Sequence, residues 1–125
     1  MTKVIINGAK GRMGETLLLC GETNPDIEIV AGVDVGDDLP AVIEQTDVVI
    51  DFSFHEVTRA TGELCAQHKK ALVIGTTGHS ADDRAAVLKL QSEIPVVWAS
   101  NFSTGVNTLF WLTRKATEVL GADFD

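Results

Sequence analysis

Three glycines, Gly8, Gly11 and Gly14, stand three residues apart in the stretch GAKGRMG, between an apolar run and a stretch with helical periodicity. A glycine-rich turn from a strand into a helix brings unpaired backbone N–H groups and the positive end of the helix dipole to one point, which suits a diphosphate. We expect Gly8 to allow a tight turn, Gly11 to let phosphates approach the backbone closely, and Gly14 to let the helix pack against the sheet. The alternative is an ordinary structural turn, and the spacing G-x-x-G-x-x-G excludes a P-loop.

Asp34 follows Gly14 by 34 − 14 = 20 positions, where a dinucleotide-binding fold places the acid that binds the adenosine ribose hydroxyls. The alternative for this residue alone is a solvated carboxylate at the end of a strand. Strand, glycine turn, helix and acid together predict dinucleotide binding. Because a carboxylate here would repel a 2′-phosphate, we expect NADH to be preferred, with NADPH accepted if Lys10 swings toward that phosphate.

The elements that must position these residues follow from the spacing of apolar side chains. Short β-branched runs alternate with longer helical patterns, which predicts an α/β fold with a Rossmann-type doubly wound parallel sheet. The strands are expected at 3–7, 27–33, 48–51, 71–74 and 96–99. The helices are expected at 12–22, at 38–45, at 56–68, from a cap at Ser80 through 84–93, and at 105–120, the last with a wide apolar face. No linker or repeat interrupts this pattern, so we expect residues 1–125 to form one dinucleotide-binding domain.

Composition and charge exclude several classes of function. A net charge of −8 would repel nucleic acid and anionic membrane surfaces, so neither is expected as a partner. No stretch approaches the about 18 apolar residues of a membrane span and no secretion signal is recognisable, so we expect a soluble, cytoplasmic protein. Cys20 and Cys65 form no metal-ligand pattern and are predicted to be reduced thiols packed as small hydrophobes, with no metal bound. His55, His68 and His79 are predicted to be solvated at the surface.

Small polar residues follow the third, fourth and fifth predicted strands, in the stretches DFSFHE, GTTGHS and ASNFSTG. Ligands of open parallel sheets collect outside the carboxyl ends of the strands, so these loops could face a nicotinamide ring, although ordinary turns have the same composition. The motifs GAKGRMG, DFS, GTTG and ASNFSTGVN, in this order and spacing, resemble the N-terminal domain of dihydrodipicolinate reductase. The resemblance covers nearly the whole chain.

The resemblance implies that residues of all four motifs bind the cofactor. It implies that the diphosphate is lined by the glycine turn, namely Gly8, Ala9, Lys10, Gly11, Arg12 and Met13, with Gly14 closing the motif. It implies that Asp34 meets the adenosine ribose. It implies that the cleft and the nicotinamide half are bordered by Phe52, Ser53, Gly75, Thr76, Thr77, Ala99, Ser100, Asn101 and Phe102. The family more often has Thr where Ser53 stands, and either residue keeps a hydroxyl.

The resemblance also implies an activity in lysine and diaminopimelate biosynthesis. In that family NAD(P)H delivers a hydride to a cyclic dicarboxylate, and a second domain carries a His-His pair, a lysine and a Ser-Gly-Thr motif for acid chemistry and substrate binding. None of these motifs occurs in the 125 residues, so we expect this chain to bind cofactor but to hold no catalytic residue. The resemblance allows a homo-oligomer of the full-length protein. The alternative is a stand-alone dinucleotide-binding module without catalysis.

Overall fold

Five parallel strands alternate with five α-helices in the computed structural model, which describes residues 1–122. The strands are β1 (Thr2–Asn7), β2 (Ile27–Val33), β3 (Val48–Asp51), β4 (Ala71–Ile74) and β5 (Val96–Trp98). The helices are α1 (Arg12–Thr23), α2 (Leu39–Val42), α3 (His55–Gln67), α4 (Ala81–Lys89) and α5 (Thr104–Leu120). The predicted order of strands and helices is therefore confirmed.

The strands form one sheet in the order β2-β1-β3-β4-β5, and every neighbouring pair is parallel. The chain starts in β1, moves to one side for β2, and returns past β1 to build the other side. Asn7 at the end of β1 therefore stands opposite Val33 on one side and Asp51 on the other. The point where the order reverses lies between β1 and β3, which is where open parallel sheets bind their ligands.

Helices pack on both faces of the sheet around β1, as expected for a doubly wound fold, whereas Val97 of β5 is 55% exposed. Ile5 is fully buried and belongs to a cluster with Cys65 of α3 and Val87 of α4. Ile6, its neighbour on β1, points to the opposite face and packs against Leu17 of α1. Alternate residues of the strand thus serve two layers of helix, which explains why its apolar run is continuous instead of alternating.

The segment predicted as one short helix at 38–45 is divided in two. Helix α2 is followed at once by a 3-10 turn at Ile43–Gln45. Asp38 caps α2, because its side chain accepts a hydrogen bond of 3.2 Å from the backbone N–H of Ala41. The prediction of a weak helix here is confirmed, and its geometry is tighter than α-helical over the second half.

The helix predicted to start at Ser80 and to continue over 84–93 starts at that cap, and its α-helical part ends earlier than predicted. Ser80 caps α4 as predicted, since its hydroxyl accepts a hydrogen bond of 3.1 Å from the backbone N–H of Asp83. A cap at Ser80 makes the next residue the first of the helix. At the other end α4 passes into a 3-10 turn at Leu90–Ser92, shortly before Pro95, which cannot continue a helix.

Helix α5 confirms the predicted helix at 105–120 but buries none of its residues in the described part of the chain. Phe110 is 60% exposed and Trp111 is 56% exposed. The amphipathic pattern therefore predicted the helix without indicating what its apolar face contacts. Among residues 1–122, none of the helices has the length and apolar character that crossing a lipid bilayer requires.

The two cysteines differ in their surroundings. Cys65 is fully buried in the core, and burial raises the pKa of its thiol to about 12. Cys20 is exposed on α1, so the prediction that both thiols are packed is wrong for Cys20. The inward side of α1 is formed near its ends by Gly14 and Gly21, which are the buried residues of that helix.

Candidate functional site

The glycine turn connects β1 to α1 at the point where the sheet order reverses. Gly8 has φ +85°, a conformation that side chains rarely adopt. A Cβ at Gly8 would also lie 2.4 Å from the carbonyl oxygen of Phe52, and a Cβ at Gly14 would lie 2.1 Å from the carbonyl oxygen of Gly8. The fold itself therefore requires glycine at both positions. Gly14 allows the first turn of α1 to approach the glycine turn, a closer contact than the helix–sheet packing expected from the sequence.

Gly11 differs from the other two glycines. It is the residue that precedes α1, with φ −78° and ψ 161°, and no side chain caps the helix there. A Cβ at Gly11 would meet one atom within 4 Å, the carbonyl oxygen of Gly8 at 3.3 Å. A side chain here requires the Gly8 carbonyl to shift by a few tenths of an ångström, and no other atom stands in its way within 4 Å. This space fits the close approach of a phosphate to the backbone at the start of the helix.

Asp34 lies directly beside the glycine turn, as the sequence predicted. Its carboxylate accepts hydrogen bonds of 2.8 Å from the backbone N–H of Lys10 and 2.8 Å from that of Val35. These two bonds, that from Lys10 first, lower the pKa of the Asp34 carboxyl. The carboxylate is therefore ionised at neutral pH and held at the edge of the turn, with lone pairs left over for further donors.

A second acid, Asp37, joins this corner and was missed by the sequence reasoning. Its carboxylate accepts a hydrogen bond of 2.9 Å from the backbone N–H of Asp34 and lies 3.7 Å from the Lys10 ammonium. The signal that could have found it is Gly36, whose φ of +91° turns the chain back toward Asp34. The cation expected to accommodate a 2′-phosphate is thus already beside a carboxylate.

A cleft of about 980 Å³ opens in front of these groups, between the glycine turn, the end of β2 and α3. Six of the predicted site residues line it: Gly8, Lys10, Gly11, Asp34, Phe52 and Ser53. The sequence reasoning missed its apolar walls, which include Leu39, Pro40, Phe54, Val57 and Leu64. A largely apolar cleft with a few polar groups converging at one end suits a small organic ligand.

The remaining predicted residues do not line this cleft. Those of the glycine turn and α1 are Ala9, Arg12, Met13 and Gly14, and those of the later loops are Gly75, Thr76, Thr77, Ala99, Ser100, Asn101 and Phe102. Two of them turn their side chains inward. Ala9 is buried against α1, and the Thr76 hydroxyl donates a hydrogen bond of 3.2 Å to the carbonyl oxygen of Asp51.

The loops after β3, β4 and β5 meet around the ring of Phe52. A Cβ at Gly75 would lie 2.1 Å from this ring, so the ring occupies the space that a side chain would fill. The ring of Phe102 lies 6.1 Å from that of Phe52 between centroids, at an interplanar angle of 57°. Asn101, just before Phe102, is tied to α5, because Asn107 donates a hydrogen bond of 3.1 Å to its carbonyl oxygen. The structure therefore brings together three loops that the sequence only placed at the same edge of the sheet.

His79 is not the solvated histidine expected from the sequence. Its ring packs edge-on against Trp98, with 4.9 Å between centroids, and Arg84 lies 5.0 Å above the same tryptophan. Burial lowers the pKa of His79, and among residues 1–122 its Nε2 atom is buried without a hydrogen-bond partner. The prediction of a solvated side chain is wrong for His79, because Trp98 of β5 packs against its ring.

The fold and this site define the class: an α/β domain of Rossmann type, with a glycine turn and an acid at the reversal of strand order. The sequence model of the family described as "Dihydrodipicolinate reductase, N-terminus" matches residues 2–102. This chain belongs to that family.

Individual relatives agree with this assignment. The chain is 41% identical to the 4-hydroxy-tetrahydrodipicolinate reductase of Akkermansia muciniphila and 40% identical to that of Desulfotalea psychrophila, in both cases over 100% of this chain. These alignments cover 51% and 55% of the two relatives, so the chain spans about half the length of the curated relatives it matches.

A solved structure shares the fold. The dipicolinate-bound dihydrodipicolinate reductase from Paenisporosarcina sp. TG-14 superposes with a TM-score of 0.81 over 94% of this chain and 54% of that protein, at 24% identity.

Proposed function

We propose that residues 1–125 are the dinucleotide-binding domain of a dihydrodipicolinate reductase and that they bind NADH in the cleft described above. The contact between the Asp34 carboxylate and the backbone N–H of Lys10 carries this proposal. This hydrogen bond connects the glycine turn, which is suited to a diphosphate, to an acid that is suited to ribose hydroxyls. The family membership supports the same conclusion.

The proposed placement of NADH follows the strand order. The diphosphate lies over Gly11, where the open space and the start of α1 favour an anion. The adenosine ribose lies against Asp34, on the β2 side, and the base extends between the apolar side chains of Leu39, Pro40 and Val57, which line that part of the cleft. The nicotinamide then extends to the opposite side, over the ends of β3, β4 and β5.

At the nicotinamide end, the proposed contacts come from three loops. The ring of Phe52 forms the floor, and Ser53 presents polar groups beside it. The N–H groups of Gly75 and Thr76 and the Thr76 hydroxyl donate to the Asp51 carbonyl oxygen. The remaining main-chain groups of Gly75–Thr77 and of 99–102 are therefore the ones proposed to complete the surroundings. The bound cofactor supplies a hydride, and these residues orient the ring and exclude water from it.

The preference for NADH over NADPH rests on two carboxylates. Asp34 would lie next to the 2′ position of the ribose, where a phosphate would be repelled. Asp37 strengthens this repulsion and also engages the Lys10 ammonium, which lies 3.7 Å away. The exposed ion pair contributes little to stability, yet it places a second negative charge where a 2′-phosphate would need a cation.

The substrate proposed for the full-length protein is a cyclic dicarboxylate, reduced by hydride from the nicotinamide. Two carboxylates require basic groups to hold them, and the developing charge requires a proton donor. The residues proposed to contact the nicotinamide have neutral side chains, Ser53, Thr77 and Asn101 among them. His79, in the loop after β4, packs its ring against Trp98. We therefore assign cofactor binding and orientation to this chain, and substrate binding and proton donation to residues outside it.

Titration calorimetry with NADH tests the proposal directly. We expect one site per chain, competition by ADP-ribose, and weaker binding of NADPH. A chain that is folded by circular dichroism and yet takes up none of these nucleotides would overturn the assignment of the cleft.

A further inference from the structure

Asp51, the last residue of β3, is fully buried and surrounded by hydrogen-bond donors. Its Oδ1 accepts hydrogen bonds from the Asn7 side-chain amide at 3.2 Å, from the Ser53 backbone N–H at 3.1 Å, and from the Ser53 hydroxyl. Its Oδ2 accepts one of 2.8 Å from the Thr58 hydroxyl. None of these partners in the described chain carries a positive charge.

The same residue connects several elements. Asn7 ends β1 and also donates a hydrogen bond of 3.2 Å to the Thr61 hydroxyl of α3. The Asp51 carbonyl oxygen accepts hydrogen bonds from the backbone N–H groups of Gly75, at 2.9 Å, and Thr76, at 3.2 Å. Asp51 thus joins the ends of β1 and β3, the start of α3, and the segment that follows β4.

Asp51 holds the segment that follows it, Phe52 and Ser53, which forms part of the cleft wall. Ser53 lines the cleft, and the two hydrogen bonds from Ser53 to Asp51 set the course of the chain after β3. Phe52 lies between Asp51 and Ser53. Its carbonyl oxygen packs closely against Gly8, and its ring packs closely against Gly75. A shift of this three-residue turn would therefore move the floor on which the nicotinamide is proposed to lie.

Stability alone does not account for a carboxylate at this position. Burying a polar group is costly, and replacing a whole buried polar network by apolar side chains is often neutral or stabilising for the fold. An acid does supply several directional acceptors that fix neighbouring groups in one arrangement. We propose that Asp51 is a positioning residue for the nicotinamide half of the cofactor site, acting through Ser53 and Phe52; this inference rests on the proposed function.

The test compares NADH with ADP-ribose, which lacks the nicotinamide. In Asp51→Ala, we expect the Kd for NADH to rise about tenfold, the equivalent of one well-formed hydrogen bond, while the Kd for ADP-ribose rises less than about twofold. Asp51→Asn, which keeps an oxygen for the donors on the Oδ1 side, should restore most of the NADH affinity. Equal losses for both ligands in Asp51→Ala would overturn the proposal, because a merely structural defect would not distinguish them.

Two threonine variants test the same proposal if Asp51→Ala does not fold. Thr58→Val removes the donor to Oδ2 without touching the cleft, and should raise the Kd for NADH about fivefold with ADP-ribose little changed. Thr46→Val is the matched control, because Thr46 is equally buried and its hydroxyl bonds to the carbonyl oxygens of Lys3 and Val48, at the amino ends of the strands. We expect Thr46→Val to lower stability comparably and to leave both Kd values unchanged. A Thr58→Val chain whose two Kd values match those of Thr46→Val would overturn the proposal.

This outcome is separable from a failure of the proposed function. If the unaltered chain does not bind NADH, the cofactor assignment is wrong and the role of Asp51 falls with it. If the unaltered chain binds NADH and the ratio of the two Kd values is the same in Asp51→Ala, the role of Asp51 alone is wrong.

Discussion

The carbonyl oxygen of Gly8 lies 2.1 Å from the position that a Cβ on Gly14 would take. Two glycines six residues apart in sequence are thus pressed together by the fold, whereas a Cβ on Gly11 would meet one atom within 4 Å, the same oxygen at 3.3 Å. The three glycines of one motif therefore divide into two that the protein needs in order to fold and one that is proposed to serve ligand binding. This division makes them separable by mutation.

The variant Gly11→Val should lose NADH binding and keep its fold. The added side chain would occupy the space proposed for the diphosphate, and we expect the Kd to rise at least about a hundredfold, or about 2.7 kcal/mol. The cost in stability should be only about 1 kcal/mol, because valine is a poorer residue than glycine before a helix. Calorimetry and far-UV circular dichroism measure the two effects, and unchanged binding would contradict the proposed position of the diphosphate.

The variant Gly14→Ala should show the opposite pattern. Its methyl group would overlap the Gly8 carbonyl and the Ala9 backbone, and overpacking against a backbone that cannot yield costs about 3 kcal/mol. We expect a marked drop in the midpoint of urea unfolding, and NADH should partly restore it by binding the folded state. A midpoint equal to that of the unaltered chain would mean that α1 can move away from the glycine turn at little cost.

Removing the charge of Asp34 should shift the cofactor preference toward NADPH. In Asp34→Asn, we expect the ratio of the Kd for NADPH to the Kd for NADH to fall about tenfold, because the repulsion of the 2′-phosphate is relieved while the shape is kept. Asp37→Asn should shift the ratio in the same direction by a smaller factor. Asp26→Asn is the control, since Asp26 immediately precedes the opposite end of the same strand and the change in net charge is identical. An unaltered ratio in Asp34→Asn would remove this carboxylate from the choice of cofactor.

The pKa of Asp34 also predicts how stability depends on pH. Hydrogen bonds from the Lys10 and Val35 backbone lower this pKa in the folded state, whereas the unfolded chain should titrate near about 3.9. Between the two values the unfolded state binds more protons, so the stabilisation is present above about pH 4 and is lost as pH falls through the folded pKa. The difference in unfolding midpoint between the unaltered chain and Asp34→Asn should therefore be constant near neutrality and shrink below about pH 4. A difference that persists undiminished to the lowest pH would contradict this origin.

The 125-residue chain by itself should bind NADH without useful turnover. The polar side chains proposed at the nicotinamide end are neutral, and Lys10 lies at the other end of the cleft beside Asp37. With freshly generated dihydrodipicolinate-type substrate, we expect NADH oxidation far below the about 10 per second of an ordinary enzyme. A full-length relative assayed in parallel supplies the positive control. Turnover at that ordinary rate from this chain would show that the catalytic groups lie within it.

Much of the fold and part of the site were predictable because their signals are local. The strand–glycine turn–helix sequence around Gly11, the cap at Ser80 and the alternation of strands and helices depend on residues close to one another in the chain. The distance from Gly14 to Asp34 also carries information, since one helix and one strand of ordinary length must fit between them. These features therefore follow from the sequence alone.

The contacts that shape the site come from pairs far apart in the chain. Asn7 and Asp51 are 44 residues apart, and neither residue type indicates which residue it contacts in the fold. Whether an aspartate at a strand end stays partly exposed, as Asp34 does, or is fully buried, as Asp51 is, depends on which strands become neighbours and on what α3 places above them. The partial burial of His79 and the exposed face of α5 within residues 1–122 also depend on packing between elements. The sequence determined which elements form and where the groups proposed to bind phosphate stand. Only the tertiary structure decided which polar groups face one another, because the periodicity of an element does not indicate which other element it packs against.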